Sequence, residues 1–389
     1  MKRSKLVLPL ALALVFISAS AQISQQALVN SMIANHGRIK SALLNEEILR
    51  IQSKQTWNMP STDFNLQQGQ INASNWDYFF TISQSFEGIW QKNSLKKWVQ
   101  TQGKRTSIEN QILIKELTLE LREFIWLYVQ SDRFKEIISN QKEMMTSWKE
   151  QLQQQTKSGY SANWELWIVN QQLQKIIQEE NRFSQQLVSL KKSIELYAQA
   201  EIQSGIEKWN LLDEPIKKEL ASIFREPMGN IELSFQNQLD YLQDQKIPSP
   251  YVGAFQQQLE SVPGYFGFVA GLKVPLNYAH LQREKTKAKL EYQQELENYS
   301  QEFKSKNAEL QINLNQIDLE KVNYSKALQL MNTDQKDLVN WIKTNQSVGN
   351  KSFLEQSQLY QTFWENEKMI QETKTRLGLL ILKNQFLTQ

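Results

Sequence analysis

Two long stretches without helix-breaking residues dominate this 389-residue chain. Neither Gly nor Pro occurs between Lys104 and Ser158, or between Leu276 and Val348. Both stretches are rich in Leu, Glu, Lys and Gln, which have high helix propensity. Helices as long as these stretches are rare in ordinary globular domains. The sequence therefore predicts a mainly helical protein built around very long helices.

The segment that follows Gly159 carries a heptad pattern. Apolar residues recur there at alternating spacings of three and four, and Glu180 is the one polar interruption. The pattern predicts that this helix packs lengthwise on a neighbouring helix, and a coiled coil without further function is the alternative interpretation. The apolar positions are Leu166, Val169, Leu173, Ile176, Phe183, Leu187, Leu190, Ile194 and Tyr197.

Side chains that catalyse reactions or bind metals are scarce. The chain has no Cys and two His, His36 and His280, which excludes thiol nucleophiles, disulfides, Cys zinc sites and dense His metal cages. No Gly-rich phosphate loop, zinc-protease pattern or Gly-x-Ser-x-Gly elbow is present. We therefore expect neither an enzyme nor a cofactor or metal site, and we interpret Met144 and Met145 as packing residues.

The net charge of +3 does not indicate a nucleic-acid partner. Lys2, Arg3 and Lys5 account for it, and the remaining chain has 41 basic and 41 acidic side chains. The same three cations precede the apolar run Leu6 to Ile17, and Ala19-Ser-Ala21 follows it. This order predicts an export signal over residues 1–21, removed before Gln22. The apolar run is too short to span a bilayer as a helix.

An internal repeat relates the two halves of the chain. One constant shift in residue number places Gly159 on Gly349 and Glu165 on Glu355, and each Gly interrupts a long helical pattern. The same shift places Tyr78–Phe86 on Phe268–Leu276, two stretches with the composition of strands. We expect a first repeat over 22–199, a connector over 200–227 that holds a small helix, and a second repeat over 228–389.

Each repeat is predicted to contain a pair of strands before its long helices. The partner of Tyr78–Phe86 is predicted at Asp63–Gln70, and the partner of Phe268–Leu276 at Asn230–Leu239. The second pair would then be joined by a long loop that holds Pro248, Pro250, Gly253 and Pro263.

Aromatic residues cluster near both predicted strand pairs, as at the two interfaces of a bilayer. The candidates are Trp76, Tyr78, Phe80, Tyr265 and Phe268. The alternative is that they form the core of a small soluble sheet. Four strands cannot close a membrane barrel, so a membrane-spanning arrangement would need several chains.

Short motifs at these places resemble the TolC family of outer membrane factors. Gly69-Gln-Ile-Asn72 followed by Phe80–Phe86 is similar to the first strand pair of members that serve heavy-metal and cation efflux pumps. Gly271-Leu-Lys-Val-Pro-Leu276 resembles the matching segment of the second pair. The resemblance covers nearly all of residues 22–389, with the motifs in the order of the family.

The resemblance implies a homotrimer in the outer membrane. Each chain would give four strands to a shared 12-strand β-barrel, continued by an α-helical barrel in the periplasm. It also implies a passive efflux duct for metal cations or small toxic compounds, driven by an inner-membrane RND-type pump through a periplasmic adaptor. The alternative function is a periplasmic or surface coiled-coil scaffold without a pore.

The resemblance assigns roles to residues at the two helix tips. Gly159, Ser161, Gly349 and Ser352 would form the tip turns to which the adaptor docks. Glu165 and Glu355 would line the periplasmic aperture, where three copies would place six carboxylates in a narrow mouth. An exposed position near a helix turn is the alternative for each Glu.

Overall fold

The structure is a computed structural model that describes residues 23–54, 62–69, 77–158, 163–203, 205–207, 209–225, 227–259, 262–276, 278–346 and 353–389. The predicted export signal, residues 1–21, lies outside the described residues. The described elements are eight helices and four strands, in the order α1 Gln25–Asn35, α2 Gly37–Lys54, β1 Thr62–Gly69, β2 Asp77–Ser85, α3 Lys92–Lys157, α4 Asn163–Ala198, α5 Ser222–Arg225, α6 Pro227–Asp244, β3 Ser249–Leu259, β4 Val262–Lys273, α7 Tyr278–Gln346 and α8 Phe353–Thr388.

The two long helices are confirmed. α3 has 66 residues and α7 has 69, and each contains nearly all of its breaker-free stretch. Gly103, the one glycine inside α3, has open space around the position of a Cβ atom. Each long helix is followed by a helix of 36 residues, α4 or α8. Long runs without Gly or Pro therefore predicted these elements well.

The helices repeat at the predicted shift. The shift that places Gly159 on Gly349 also places both ends of α2 on the ends of α6, and both ends of α4 on the ends of α8. Such agreement at both ends of two helix pairs indicates that the chain contains two copies of one structural unit.

The four strands form one antiparallel sheet in the order β1-β2-β3-β4. Thr62 opposite Gln84 in the first hairpin corresponds to Pro250 opposite Leu272 in the second, so the sheet repeats at a shift two residues shorter than that of the helices. The predicted alignment of the strands was therefore displaced by two residues. Because side chains in a strand alternate with a period of two, this displacement keeps every residue on its predicted face.

The predicted strand at Asn230–Leu239 was wrong, because the segment lies inside α6. Its first residues, Ile231-Glu-Leu233-Ser-Phe235, alternate like a strand. The pattern over the whole segment is helical: Ile231 and Leu242 are both buried and lie three turns apart. Pro227 stands at the first helical position, where a missing N–H has no cost.

The strand that pairs with β4 is instead β3, within the segment predicted as a loop. Pro250 lies beyond the last residue pair of β3 with β2, Ser85 opposite Tyr251. Gly253 has a structural reason, since a Cβ atom there would lie 2.8 Å from the carbonyl oxygen of Ile82 on β2. Pro250 and Gly253, which were interpreted as turn signals, thus lie at the end of a strand and at a point where two strands come close together.

The chain forms two compact units, and each takes segments from both repeats. Unit 1 comprises residues 1–40, 114–220 and 308–389, and unit 2 comprises residues 41–113 and 221–307. The sheet belongs to unit 2, whereas α4 and α8 belong to unit 1. Among the described residues, no helix is long and apolar enough to cross a membrane.

The heptad seam of α4 forms the core of unit 1, as predicted. Val169, Leu173 and Ile176 pack against Ile138, Met145 and Leu152, which are spaced by seven residues on α3. This contact confirms that Met145 is a packing residue. The seam excludes water along the helix pair and holds the two helices side by side.

The polar interruption of the seam has a partner on the facing helix. Lys142 Nζ of α3 lies 2.7 Å from Glu180 Oε2 of α4, whose side chain is only 19% exposed. Next to this pair, the rings of Phe134 and Phe183 stack with centroids 5.1 Å apart. An ion pair at one seam position fixes the register of the two helices.

The connector joins the same unit through a second core. Trp126 is fully buried against Leu211 of the connector and Leu382 of α8. Its ring lies on Gly378, where a Cβ atom would be 2.2 Å from the indole. The indole nitrogen donates to the carbonyl oxygen of Thr375 at 2.9 Å. A glycine in α8 therefore allows the largest buried side chain of the unit to lie flat on the helix.

Truncation of the seam should weaken folding much more than truncation of an exposed position. Ile138→Ala removes a fully buried side chain, and we expect the free energy of unfolding to fall by about 2–5 kcal/mol. The control, Leu196→Ala on α4, removes a side chain that is 67% exposed and should change stability by less than about 0.5 kcal/mol. The measurement is urea unfolding followed by helical circular dichroism. Equal effects of the two substitutions would contradict the packing of α3 on α4.

Candidate functional site

The sheet presents two chemically different faces. Antiparallel partners in all three strand pairs are both even-numbered or both odd-numbered, apart from the irregular end at Leu259. Alternation along each strand therefore places the even-numbered residues of all four strands on one face. We call this the even face and the opposite one the odd face.

The even face is apolar and exposed. Phe268 is 81% exposed and Phe64 is 69% exposed, although both are large aromatic side chains. Gln and Thr occur mainly at the strand ends, and Gln256 is the polar residue inside the patch. A contiguous exposed apolar patch of this kind marks a surface that contacts lipid or another protein. Its apolar members are Phe64, Leu66, Tyr78, Phe80, Ile82, Val252, Ala254, Phe266, Phe268, Ala270 and Leu272.

The odd face carries polar side chains and aromatic rings that lie over glycines. The ring of Phe255 covers Gly267, and the ring of Tyr251 covers Gly271, with the Cβ positions of the two glycines 2.5 and 2.6 Å from ring atoms. Because glycine has no Cβ, Gly267 and Gly271 leave space for these rings to lie on the neighbouring strand. The polar members among the described side chains are Asp63, Asn65, Gln67, Thr81, Ser83, Ser85, Ser249, Gln257 and Lys273.

The structure separates the predicted interface aromatics. Tyr78, Phe80 and Phe268 lie on the even face, whereas Tyr265 lies on the odd face. There the Tyr265 hydroxyl donates to Gln257 Oε1 at 2.5 Å, and its ring contacts that of Phe255. Trp76 lies outside the described residues. Tyr265 is odd-numbered, whereas Tyr78, Phe80 and Phe268 are even-numbered. Alternation along the strands would therefore have distinguished Tyr265 from these three residues on the basis of the sequence.

A tight turn joins the sheet to α3. Gly88 adopts a positive φ of 76°, which glycine accepts without steric cost. The Trp90 indole nitrogen donates to the carbonyl oxygen of Pro248 at 3.1 Å, and the Phe86 N–H donates to that of Pro250 at 3.0 Å. The first repeat therefore holds the start of β3 through two hydrogen bonds, neither of which the sequence pattern could reveal.

A groove between helices of unit 2 contains a partly exposed network of charges. Arg105 of α3 donates to Glu109 at 3.0 Å and to Glu295 of α7 at 2.6 Å. Burial opposes the charged guanidinium, but these two hydrogen bonds outweigh it and raise the pKa of Arg105. The shift that relates the helices of the two repeats also places Arg105 on Glu295, so the ion pair joins equivalent positions.

The tip residues are only partly within the described structure. Glu165 and Glu355 stand at the third position of α4 and α8, respectively, so the predicted equivalence of their backbone positions is confirmed. Glu165 is partly exposed, and the side chain of Glu355 is outside the described residues. Gly159, Ser161, Gly349 and Ser352 also lie outside them. Their roles in the aperture and in docking remain predictions.

Among the described residues, no group of three or more His, Asp or Glu side chains is arranged to hold a metal ion. The features that stand out are instead an exposed apolar sheet face, a polar face behind it and a long helical seam.

No protein-family model matches the chain, and no curated protein matches its sequence. Solved structures do match. CusC, described in connection with transmembrane channel formation, is 12% identical with a TM-score of 0.73, over 94% of this chain and 92% of CusC. The outer membrane protein VceC from Vibrio cholerae is 12% identical with a TM-score of 0.71, over 94% and 96% of the two chains.

The open-state outer membrane channel MtrE from Neisseria gonorrhoeae is likewise similar, at 12% identity and a TM-score of 0.72, over 93% of this chain and 88% of MtrE. These similarities extend over nearly the whole of this chain and over 88–96% of the matched chains. The chain therefore has the mainly helical TolC-like fold, with a small antiparallel sheet, that the sequence resemblance implied.

Proposed function

We propose that the protein is a TolC-family outer membrane channel that serves as the passive export duct of a tripartite efflux system. The observation that carries this proposal is the even face of the sheet, an exposed apolar surface across all four strands. Lipid is the solvent that such a face fits, since the strands of a membrane sheet alternate apolar-out and polar-in. CusC and MtrE, which share the fold, are described as channels.

Three copies make the proposed channel complete. A four-stranded sheet with two open edges cannot enclose a pore, and open edges are not stable in lipid. Three sheets joined edge to edge form twelve strands, which is enough for a barrel with an open lumen. The odd face, with Asp63, Asn65, Gln67 and Ser83, would then line that lumen. The long helices α3 and α7 would form the periplasmic part of the duct.

The duct itself needs no catalytic centre or cofactor, because an inner-membrane pump would supply the energy through a periplasmic adaptor. We infer an RND-type pump and, as cargo, metal cations or small toxic compounds, from the resemblance of the first strand pair to the heavy-metal branch of the family. Glu165 and Glu355 would line the periplasmic aperture and favour cations. The tip turns at Gly159, Ser161, Gly349 and Ser352 would receive the adaptor.

A cationic side chain should be tolerated on one face of β4 and not on the other. Ala270→Arg places a charge on the even face, and an Arg that faces lipid costs up to about 2–4 kcal/mol per copy near the bilayer midplane. We expect it to reduce the membrane-inserted fraction that survives a urea wash. Val269→Arg, one residue earlier on the odd face, faces Gly253 on β3 and should insert as the wild type does. Equal tolerance of the two variants would contradict a lipid-facing even face.

Conductance tests the channel directly. The protein purified in detergent should have the mass of a trimer and pass a cation-selective current across a planar lipid bilayer. The double variant Glu165→Gln/Glu355→Gln should lower the cation-to-anion permeability ratio several-fold, because six carboxylates leave the aperture. The matched control, Glu143→Gln/Glu372→Gln, removes the same number of carboxylates from exposed helix positions and should leave the ratio unchanged.

A water-soluble protein that does not conduct would refute the channel and favour the coiled-coil scaffold. If the double variant is a conducting trimer with an unchanged cation-to-anion permeability ratio, the channel proposal stands and the assignment of Glu165 and Glu355 to the aperture is refuted.

A further inference from the structure

The sheet ends in two open edges. Within the described residues, β1 pairs only with β2, and β4 pairs only with β3. The outer edges of β1 and β4 therefore present N–H and C=O groups that can pair with another strand. Both edges also border the exposed apolar even face. In water the apolar face would be exposed, and in lipid the edge N–H and C=O groups would lack hydrogen-bond partners, so the isolated sheet is unsuited to either solvent.

Within one chain, the two repeats already pair one strand edge with another. β2, the last strand of the first repeat, pairs with β3, the first strand of the second, with Thr81 opposite Phe255 and Ser85 opposite Tyr251. Because one constant shift relates the two hairpins, β4 is equivalent to β2, and β1 is equivalent to β3. The pairing of β2 with β3 is therefore a template for the pairing of β4 with β1 of a second copy.

We infer that β4 of one copy pairs antiparallel with β1 of the next copy in the register of β2 and β3, which places Val269 opposite Gln67, Leu272 opposite Phe64 and Lys273 opposite Asp63. This inference rests on the proposed trimeric channel and adds the residues that join its subunits. To go from the pair β2 and β3 to the pair β4 and β1, one adds the shift to the residue number on β2 and subtracts it from the residue number on β3. The sum of the two residue numbers in each pair is therefore unchanged, and the shift of the sheet and that of the helices give the same pairs.

The chemistry of the facing residues agrees with this register. Lys273 and Asp63 lie on the odd face and carry opposite charges, and opposite charges directly across two strands attract. Within one chain Lys273 already contacts Glu87, so Asp63 of the next copy would be a second carboxylate beside it. Leu272 and Phe64 lie on the even face and are 65% and 69% exposed in the single chain. Their contact would continue the apolar surface across the junction.

The geometry of closure also agrees. The partners Asp63, Ser83, Gly253 and Val269 follow one another across the four strands, and Val269 then meets Gln67 of the next copy, four residues beyond Asp63. Three copies accumulate a stagger of about twelve residues over twelve strands, which corresponds to a strand tilt of about 35°. Closed barrels have tilts in this range.

The helices of unit 2 support the same relation. α6 packs on α3 through stacked rings of Tyr241 and Trp98, with centroids 5.5 Å apart, and through Ser234, which accepts a hydrogen bond from Gln102 at 2.8 Å. α2 is the equivalent of α6 in the first repeat, and it presents an exposed apolar stripe. The stripe consists of Leu44, Ile48 and Ile51, which are 64%, 51% and 45% exposed. By the same relation, α2 of one copy covers α7 of its neighbour.

Disulfide cross-linking tests the register, because the wild-type chain contains no Cys. In Gln67→Cys/Val269→Cys, the two residues of one chain are separated by three strand spacings, about 14 Å, and by a further offset of four residues along β4. A disulfide requires Cα atoms within about 7 Å, so a bond can form only between copies. We expect oxidation of the full-length protein in detergent to give covalent dimers and trimers on non-reducing gels.

Two controls shift the register without changing the face. Asn65→Cys/Val269→Cys and Gly69→Cys/Val269→Cys displace one partner by two residues in either direction, and each should cross-link several-fold less. A second pair, Phe64→Cys/Leu272→Cys on the even face, repeats the test where the first substitution impairs folding. Oligomer mass and conductance are measured on the reduced form of every sample.

A shifted pair that cross-links better than Gln67 with Val269 would overturn the register. Failure of both predicted pairs in samples that remain conducting trimers would overturn the edge pairing and leave the channel intact. Monomeric, non-conducting wild-type protein would overturn the channel and the inference together.

Discussion

Antiparallel pairing decides which side chains share a face of a sheet, and the rest of this structure depends on that constraint. In β1 to β4, paired residues outside the irregular end at Leu259 are both even-numbered or both odd-numbered. Phe64, Phe80, Phe268 and the other even-numbered residues therefore lie on one side of the sheet. A face of this kind is unstable in water and stable against lipid. The polar odd face behind it remains available to an aqueous lumen. A displacement by a single residue in any strand pair would mix the two faces and remove the amphipathic sheet.

In the helices, apolar residues recur with the heptad period instead of the period of two seen in the strands, because one stripe of each helix faces its neighbour. Heptad spacing on α4, and spacing by seven on α3, bring Val169, Leu173 and Ile138 into one continuous seam. The ion pair of Lys142 with Glu180 lies within that seam and fixes its register. The seam needs no other element to close it, so the helix pair can extend far beyond the size of an ordinary domain. The proposed duct across the periplasm would need helices of this length.

Duplication connects the two parts. The sheet repeats at a shift two residues shorter than that of the helices, so the two copies of the structural unit differ by two residues in the spacing between strands and helices. An even-numbered difference leaves both faces of the sheet intact. In the proposed trimer, the contact between β2 and β3 within one chain would serve as the pattern for the contact between copies.

The long helices, the seam and the first strand pair could be predicted from the sequence, because helix propensity, heptad spacing and period-two alternation act locally. The sequence also revealed the repeat, and a family resemblance that indicated the fold. It misassigned Asn230–Leu239, whose short alternation imitates a strand, and it missed β3, whose proline and glycine resemble a loop. Three features became visible in the folded chain: Gly253 permits the close approach of β2, Tyr251 lies over Gly271, and Tyr265 faces away from Phe268. These features depend on the register between strands that are distant in the sequence, and no local preference encodes that register.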